Sequence, residues 1–522
     1  MHLSTLAAAQ PNKAAVIIGA DGSATTFAEL DERSRRLAQA LAARGLRAGD
    51  HLAILVENRA AFLEAAWAAQ RSGLYYTPVN WHLSAAEAVY IVGDCEARAL
   101  VASNTLSSLA AEVAAVSRLD VKLAVGGPMP GFEDYEAVLT EASPDPVPDE
   151  REGAYMFYSS GTTGRPKGIK PKLSGAPFGT GLTIDAMLPL LYGFGPDSVY
   201  LCTGPLYHAA PLGWSLGTQR NGGSVVIMDR FDAESALALI ERHRVTHAQF
   251  VPTMFVRMLK LPEDVRGRYD LSSLQAVVHA AAPCPIPVKE AMIEWLGPIV
   301  NEYYSGSEGN CFFAIDSPTW LAHKGSVGKA TMGTVHILDE DGRDLPPGEV
   351  GTVWMEGTVQ FEYHNDAEKT AGAFNDRGWS TLGDLGHVDG DGYLYLSDRR
   401  ADLILSGGVN IYPQEVEEAL ALHPAVADVA VIGVDDEEMG QRVMAVVQVE
   451  PPAEAGPALE EELIAYCRER IAHFKCPRSI DFGDVPRLPS GKVLRREVRD
   501  RYASARAASV TWTSRLTTRT VN

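Results

Sequence analysis

Small hydroxyl-bearing residues and glycines are concentrated in one short stretch of the chain, YMFYSSGTTGRPKGIK at residues 155–170. The apolar run at its start predicts the end of a strand. Hydroxyls and glycines let backbone amides approach an anion closely, and Arg165 and Lys167 add positive charge. The pattern therefore predicts a loop that binds a polyphosphate. It is not the common P-loop, because only two residues separate Gly164 from Lys167 and Gly168 stands where that motif has Ser or Thr.

Three later segments each hold one residue that could act on phosphate or carboxylate groups. His208 lies in PLYHAAP after a predicted strand, Glu308 lies in NEYYSGSEG, and Lys492 lies in PSGKVLRRE. A carboxylate beside bound phosphates suits magnesium, which prefers oxygen ligands shared with phosphate. A lysine can neutralise the charge that develops when a carboxylate attacks a phosphate. Taken singly, each residue also fits an ordinary turn or surface position, and the glycine-rich stretch fits a flexible surface loop. Their occurrence together in one chain favours a catalytic site over a set of unrelated turns and surface positions.

These segments, in this order, resemble the motifs of the AMP-forming adenylating enzymes, a family that includes acyl-CoA synthetases, firefly luciferase and the adenylation domains of nonribosomal peptide synthetases. The resemblance extends to about residue 500. It implies that the chain activates a carboxylic acid with ATP as an acyl-adenylate, in the presence of Mg²⁺, and then transfers the acyl group to CoA. The substrates implied are therefore the acid, ATP and CoA.

The resemblance also implies roles for individual residues. The catalytic residues are Lys492, His208, Thr162 and Glu308, of which Glu308 and Thr162 are also the metal ligands. The residues implied in ATP or AMP binding are Ser159, Ser160, Gly161, Thr162, Thr163, Gly164, Lys167, Ala281, Ala282, Glu302, Tyr303, Tyr304, Ser307, Asp384 and Arg399. Those implied in acyl binding are His208, Ala209, Trp214, Ala280 and Gly306, and those of the CoA channel and the interdomain hinge are Ala401, Ser406, Gly407 and Gly408.

The chain departs from the family pattern at several of these places. Ala280 and Ala281 replace the two glycines of a Gly-Gly-Ala-Pro segment that borders adenine and the acyl channel in the family, which weakens any direct transfer of acid specificity from linear-chain relatives. Leu382 stands where the family has a Thr near the nucleotide. Ala401 stands at the hinge, where relatives have Lys or Asp, so the usual polar contacts of the hinge are missing.

Strands alternating with helices must position these residues. This rhythm predicts an α/β fold: a large N-terminal domain of stacked α/β subdomains with a small antiparallel β subdomain, followed by a small mobile α+β C-terminal domain. The expected boundaries are 1–400 for the N-terminal domain, with the β-rich part at about 331–398, and 401–502 for the C-terminal domain. The polar tail, 503–522, is expected to be disordered or peripheral.

Composition narrows the functional classes. A net charge of -21 argues against nucleic acid as a partner, because phosphate backbones require a basic surface. No apolar run is long enough to span a bilayer and the N-terminus lacks the pattern of a secretory signal. Six scattered cysteines indicate free thiols in a reducing compartment, so we expect a cytoplasmic protein. The sequence leaves the oligomeric state open, and the resemblance implies a homodimer as one possible state, because dimers are common in the family.

The function expected is that of an AMP-forming acid-CoA ligase acting on a fatty acid or on a bulky alicyclic or steroid-type acid. Small residues, including Ala209, Ala210 and Gly213, predict room in the acyl pocket, and Trp214 with Phe312 and Phe313 predicts an apolar lining. Four alternatives stay open: an amino-acid-activating domain, although its usual Asp is absent; a luciferase-like oxidase; an adenylating enzyme with an acceptor other than CoA; and a nucleotide- or acyl-binding protein without turnover.

Overall fold

The computed structural model describes residues 2–159, 166–357, 361–399, 402–406, 409–436, 439–487 and 493–502. Five sheets organise these residues. The polar tail lies outside the described residues. Within them, no helix combines the length and the apolar character that crossing a bilayer requires.

Two mainly parallel sheets form the larger part of the fold. In the first, six strands pair in parallel, in the order Glu133–Asp134, Val121–Val125, Ala97–Ser103, His51–Leu55, Tyr75–Pro78, Ala154–Tyr155. The second sheet has nine strands, in the order Lys329–Met332, Phe312–Ile315, Val300–Ser305, Ala276–His279, His247–Phe250, Val199–Cys202, Ser224–Ile227, Ala14–Ile18, Ala24–Thr26. Its central strands run parallel, and antiparallel strands close both edges. We call this the large sheet.

Helices cover the faces of these two sheets, as the buried apolar strands require. Several begin with side-chain caps, such as the reciprocal capping box of Thr26 and Glu29. The helices are Leu3–Ala9, Phe27–Ala43, Ala60–Arg71, Ala85–Asp94, Ser107–Val116 after a short 3₁₀ turn at Asn104–Leu106, Tyr135–Glu141, Thr183–Tyr192, Ala209–Arg220, Ala233–His243, Pro252–Leu259, Glu263–Arg266, Ile286–Leu296 and Ser317–Ala322.

Three smaller sheets complete the fold. Strands Phe157–Ser159, Lys167–Lys170 and Glu362–Tyr363 form an antiparallel sheet that flanks the predicted phosphate loop. A second antiparallel sheet comprises Thr334–Leu338, Gly351–Glu356, Asp384–Val388 and Leu394–Arg399, with the short helix Ala367–Gly372 nearby in sequence. Residues 389–392 lie in the hairpin turn that joins its last two strands.

The C-terminal part is a separate α+β unit with its own apolar core. Its strands are Ile404–Ser406, Val409–Ile411, Val426–Asp436, Gly440–Val449 and Ser479–Phe482, and its helices are Pro413–Ala421 and Pro457–Arg468. The side chain of Lys260, from the large-sheet part, donates to the carbonyl of Val426 at 2.7 Å and contacts Glu450 at 3.1 Å. The α/β class with a large N-terminal and a small C-terminal domain is thus confirmed, whereas the boundary at residues 400–401 falls outside the described residues and stays a prediction.

One helix, Ala209–Arg220, needs closer description because it begins at His208; we call it the site helix. Its far end is fixed by Arg220, which is buried and donates two hydrogen bonds to Glu152, at 2.7 and 3.0 Å. The preceding helix, Thr183–Tyr192, packs beside it, and Asp185 of that helix lies 3.2 Å from Arg220. A paired buried charge holds its geometry firmly, because separating it would leave an uncompensated ion. The site helix is therefore anchored at the end away from His208.

Candidate active site

Three of the predicted segments lie at one edge of the large sheet, where its parallel strands end. His208 follows the strand Val199–Cys202, the alanine segment follows Ala276–His279, and Tyr304 belongs to Val300–Ser305. These strands are in parallel register, with His279 opposite Glu302. Crevices at the carboxyl ends of parallel strands are the usual ligand sites of open α/β sheets. This edge is the candidate active site.

His208 is the N-cap residue of the site helix and its carbonyl accepts from the amide of Leu212 at 3.1 Å. The Nε2 atom of its imidazole is buried without a hydrogen-bond partner among the described residues. Burial lowers the pKa of His208 to about 4, so the ring is neutral at physiological pH. When the free nitrogen carries the proton, a neutral imidazole can donate a hydrogen bond to a substrate carboxylate without adding charge to the site.

The alanine segment contains a strained backbone position. Ala281 has φ +75°, a left-handed conformation that costs a residue with a Cβ about 1–2 kcal/mol. The family pattern has glycine at this position, and glycine adopts a positive φ without that cost. Ala280, the preceding residue, is buried. The sequence identified the substitution, but only the structure shows that it falls on a positive φ.

Behind this segment lies a buried ion pair that the sequence did not reveal. Lys289 Nζ donates to Glu302 Oε2 at 2.5 Å, and the side chains are 0% and 8% exposed. His279 Nε2 lies 3.5 Å from the same oxygen, and Lys289 also sits 4.6 Å from the centre of the Trp320 ring. The carboxylate of Glu302 is therefore held by Lys289, and the predicted nucleotide contact of Glu302 stays a prediction.

The charges in this cluster respond to burial in opposite directions. Burial raises the pKa of Glu302, and the nearby Lys289 opposes that rise. Burial and Lys289 together lower the pKa of His279 well below its ordinary value, so its ring is neutral. The pair joins the helix Ile286–Leu296 to the strand that carries Tyr304, and it thereby fixes the two segments expected to border adenine.

The adjacent residues Tyr303 and Tyr304 point to opposite faces of the sheet, as successive residues of a strand must. The ring of Tyr303 stacks between Trp214, at 5.7 Å, and Phe312, at 5.0 Å, while Tyr304 packs on Phe313 at 5.5 Å. Phe312 and Phe313 are therefore on different faces, and only Phe312 joins Trp214 in an apolar lining. The prediction that Phe313 shares this lining was wrong.

On the other face, Tyr304 meets Asp384. The hydroxyl of Tyr304 donates to Asp384 Oδ2 at 2.6 Å, across 80 residues of sequence. Asp384 is buried, and its backbone pairs with that of Arg399 in the neighbouring strand. A ring for stacking and a carboxylate that accepts hydrogen bonds are the groups that an adenosine needs. The sequence named these residues separately, and the structure brings them together.

Glu308 and Lys167 converge on Tyr363, which the sequence gave no reason to select. The Tyr363 hydroxyl donates to Glu308 Oε1 at 2.9 Å, and Lys167 Nζ lies 4.8 Å from the centre of its ring. Antiparallel pairing of the strands Lys167–Lys170 and Glu362–Tyr363 brings Lys167 to the ring of Tyr363. Gly306 is pressed against Leu382, since a Cβ there would lie 2.8 Å from both of its methyls.

This donor set suits magnesium shared with phosphate. The described residues contain no group of three or more Asp, Glu, His or Cys side chains that could enclose a metal. Magnesium commonly uses one or two carboxylates and completes its coordination with phosphate and water. Glu308 supplies one carboxylate beside the strand that follows the predicted phosphate loop, so the residues present fit such an ion.

Several predicted residues cannot be located. Ser160, Gly161, Thr162, Thr163, Gly164, Ala401, Gly407, Gly408 and Lys492 lie outside the described residues. Ser159 and Arg399 are described by their backbones alone, each as the last residue of a strand. Ser307 is exposed, Ala209 is half-buried, and Ser406 is buried and pairs with Val409 and Gly440. For Ala282, the structure shows only its place in the segment between the strand end and Pro283.

Comparison with known proteins gives consistent matches over most of the chain. Residues 3–362 match the AMP-binding enzyme family, and residues 415–492 match the AMP-binding enzyme C-terminal domain. A feruloyl-CoA synthase of Amycolatopsis sp is 35% identical over 92% of this chain and 94% of its own length. A fatty acid–[acyl-carrier-protein] ligase of Streptomyces coeruleorubidus is 32% identical over 94% of both chains.

Solved structures agree. The o-succinylbenzoate CoA synthetase of Bacillus subtilis, in complex with its acyl-adenylate intermediate, superposes with a TM-score of 0.79 at 30% identity. The superposition covers 95% of this chain and 97% of that one. The similarity therefore includes both the large sheet and the C-terminal unit.

Proposed function

Because the chain belongs to the AMP-binding enzyme family, we propose that it is an ATP-dependent acid-CoA ligase that forms AMP and pyrophosphate. One observation carries the proposal most directly: the hydrogen bond between Tyr304 and Asp384, at the sheet edge that also holds His208 and Glu308. The acid is a fatty acid or a bulky alicyclic or steroid-type acid. CoA is the acceptor, and the enzyme works in the cytoplasm on small molecules, without nucleic acid.

Two steps would follow one another at this edge. In the first, an oxygen of the acid carboxylate attacks the α-phosphorus of ATP, the bond to the bridging oxygen breaks, and pyrophosphate leaves. In the second, the sulfur of CoA attacks the acyl carbon, the thiol loses its proton, and AMP leaves with the bonding electrons. The reaction consumes one ATP and returns AMP, pyrophosphate and the thioester.

The residues of this chain would chiefly position the substrates and neutralise phosphate charge. Tyr304 and Asp384 would orient the adenosine, and the neutral His208 would hold the acid carboxylate by a hydrogen bond. Glu308 and Thr162 would hold Mg²⁺, which when bound neutralises phosphate charge. Lys167 would add positive charge at the phosphates.

We further propose that Lys492 serves only the first step. By the family pattern, the C-terminal domain, residues 401–502, rotates about Ala401, withdraws Lys492 and brings Gly407 and Gly408 to the CoA channel. Lys492→Ala should then lose most pyrophosphate release but still convert supplied acyl-adenylate and CoA to thioester. Lys324→Ala, at an exposed lysine, is the control. Equal loss of both half-reactions in Lys492→Ala would contradict this division of labour.

The ligase itself is tested by pyrophosphate release with ATP and Mg²⁺ against linear, aromatic, alicyclic and steroid-type acids, each with and without CoA. We expect turnover that requires CoA. The carrier-protein ligase among the relatives favours one second candidate, an adenylating enzyme with a carrier protein as acceptor. A single burst of pyrophosphate without CoA-dependent turnover would support that candidate, and no release with any acid would support binding without turnover.

A further inference from the structure

A buried glycine of the site helix faces open space. Gly213 is buried, yet a Cβ built on it would have no atom within 4 Å outside its own helix backbone. One turn further along, a Cβ on Gly217 would lie 2.6 Å from Leu188. Residues four apart lie on one face of a helix, so both glycines face the preceding helix. The two helices touch at Gly217 and leave a gap at Gly213.

The other end of this gap can be located from the packing of the two helices. Arg220 meets Asp185, and Gly217 meets Leu188, so the helices run antiparallel. One further turn along the preceding helix is Tyr192, which therefore lies level with Gly213. In agreement, the Tyr192 ring lies 5.2 Å from that of Trp214, the residue beside Gly213.

Flat aromatic rings wall this region. Tyr192, Trp214, Tyr303 and Phe312 follow one another at centroid distances of 5.2, 5.7 and 5.0 Å. Offset and tilted rings at such distances attract one another and present flat surfaces to a neighbouring ring. We call these four residues the aromatic wall. It extends from the preceding helix to the strand Phe312–Ile315, the second strand from one edge of the large sheet.

The hydroxyl of Tyr192 is buried and has no hydrogen-bond partner among the described residues. Buried hydroxyls are nearly always paired, because leaving one unpaired costs about 1–3 kcal/mol. Burial and the nearby Tyr303 raise the pKa of Tyr192, so it remains a donor at physiological pH. An unused donor beside a gap is a feature that a ligand with an acceptor would complete.

We propose that the gap between Gly213 and Tyr192 is the far end of the acid pocket, and that it takes a compact ring-bearing acid whose distal hydroxyl or keto group bonds to Tyr192. The inference rests on the proposed function, which puts the carboxylate at His208. Gly213 is roughly 7 Å from His208 along the helix axis, and the contact at Gly217 closes the gap at roughly 13 Å. That depth suits one or two fused rings on a short side chain and excludes long linear chains.

The first test compares pairs of acids that differ only in the distal group. These are para-hydroxyphenylpropanoate with phenylpropanoate, and cyclohexylpropanoate with its para-keto analogue, assayed by CoA-dependent pyrophosphate release. We expect wild type to favour the polar member of at least one pair by about tenfold or more in kcat/KM, the effect of one good hydrogen bond. Tyr192→Phe should abolish that preference and leave kcat/KM for the apolar member within about twofold. An unchanged preference would overturn the role of Tyr192 and assign its hydroxyl to a buried water.

The second test fills the gap. Gly213→Leu should reduce kcat/KM for the ring-bearing acids by about a hundredfold or more, while propanoate, which ends before the gap, keeps its rate. Gly93→Leu is the matched control, because Gly93 is also a helix glycine with open space at its Cβ but is exposed. Both variants should fold, since leucine favours a helix more than glycine does. Undiminished turnover of ring-bearing acids by Gly213→Leu would place the pocket elsewhere.

The two proposals fail in different ways. If wild type activates long linear acids and none of the ring-bearing acids, the ligase proposal stands and the inference about the pocket is wrong. If wild type activates no acid of the panel, the ligase proposal itself is wrong, and the inference is wrong with it.

Discussion

Replacing Lys289 with methionine should destabilise the protein strongly, because it leaves the Glu302 carboxylate buried without its partner. The two groups are 2.5 Å apart with side chains 0% and 8% exposed. Removing one partner of such a pair costs about 3–5 kcal/mol, whereas replacing both with apolar residues is often neutral or stabilising. We therefore expect a loss in that range for Lys289→Met and a result within about 1 kcal/mol of wild type for Lys289→Met/Glu302→Leu.

The loss should also depend on pH. Burial already raises the pKa of Glu302, and removing Lys289 removes the charge that opposes this rise. A carboxyl whose pKa is higher in the folded than in the unfolded state contributes stability at low pH and loses it as pH rises. Relative to wild type, Lys289→Met should regain stability as the pH falls from 8 toward 5. His279 adds to this pH dependence in the same direction. Burial and the charge of Lys289 lower its pKa, so removing Lys289 raises that pKa and reduces the stability that His279 costs at low pH.

The assay is unfolding in guanidinium chloride, followed by tryptophan fluorescence across this pH range, for Lys289→Met, Lys324→Met and the double variant Lys289→Met/Glu302→Leu. Lys324→Met is the matched control: its ion pair with Glu290 is equally short, 2.5 Å, but exposed. An exposed pair contributes only about 0–1 kcal/mol. Similar losses for Lys289→Met and Lys324→Met, or a loss independent of pH, would refute the reasoning that burial makes the Lys289 pair critical.

Three further predictions concern the sheet edge. Because the pKa of His208 is about 4, the kcat/KM profile of wild type should show no titration of this residue above about pH 5, and His208→Ala should lower kcat/KM about 10–1000-fold at every pH; an inflection near 6.5 that vanishes in the variant would contradict this. Ala281→Gly should leave the free energy of unfolding unchanged or raise it by up to about 1 kcal/mol, measured by denaturant unfolding, because relief of the positive φ offsets the greater freedom of the unfolded chain. A clear loss of stability would argue against strain at this position. Tyr304→Phe should raise the KM for ATP several-fold through loss of the bond to Asp384, while Tyr304→Leu, which also loses the ring, should raise it further; equal effects would assign no role to the ring.

Sequence reasoning identified the residues that stand in short motifs. His208, Tyr304 and Asp384 were found because each lies in a segment whose neighbours match a known order. The structure places His208 and Tyr304 at one edge of the large sheet, with Asp384 hydrogen-bonded to Tyr304. The α/β fold was predictable for a similar reason, since strand and helix periodicities are local. The capping box at Thr26 and Glu29 is the simplest example, because both partners lie within four residues.

The pairings between distant segments were not predictable. Lys289 lies in an ordinary helix, and nothing in that helix indicates that its ammonium is buried against Glu302. Lys167 reaches the ring of Tyr363 only because two strands nearly 200 residues apart pair side by side. Phe313 was assigned to the wrong face because FF gives no sign of which ring points toward Trp214. These outcomes depend on register, and register is set by the whole sheet.

The anchoring of the site helix has a consequence for how such a protein can change. Arg220 is fixed by Glu152 at one end of the helix, and His208 is the N-cap residue at the other, so Gly213, which has open space at its Cβ, can be exchanged without moving either end. Exchange of the one residue at Gly213 would alter the depth available to a substrate while the adenylating groups keep their places. Diversification of acid preference could thus proceed by single steps that leave the chemistry intact. The same helix offers a protein engineer a graded series, from glycine through alanine to leucine, for shortening the substrates accepted.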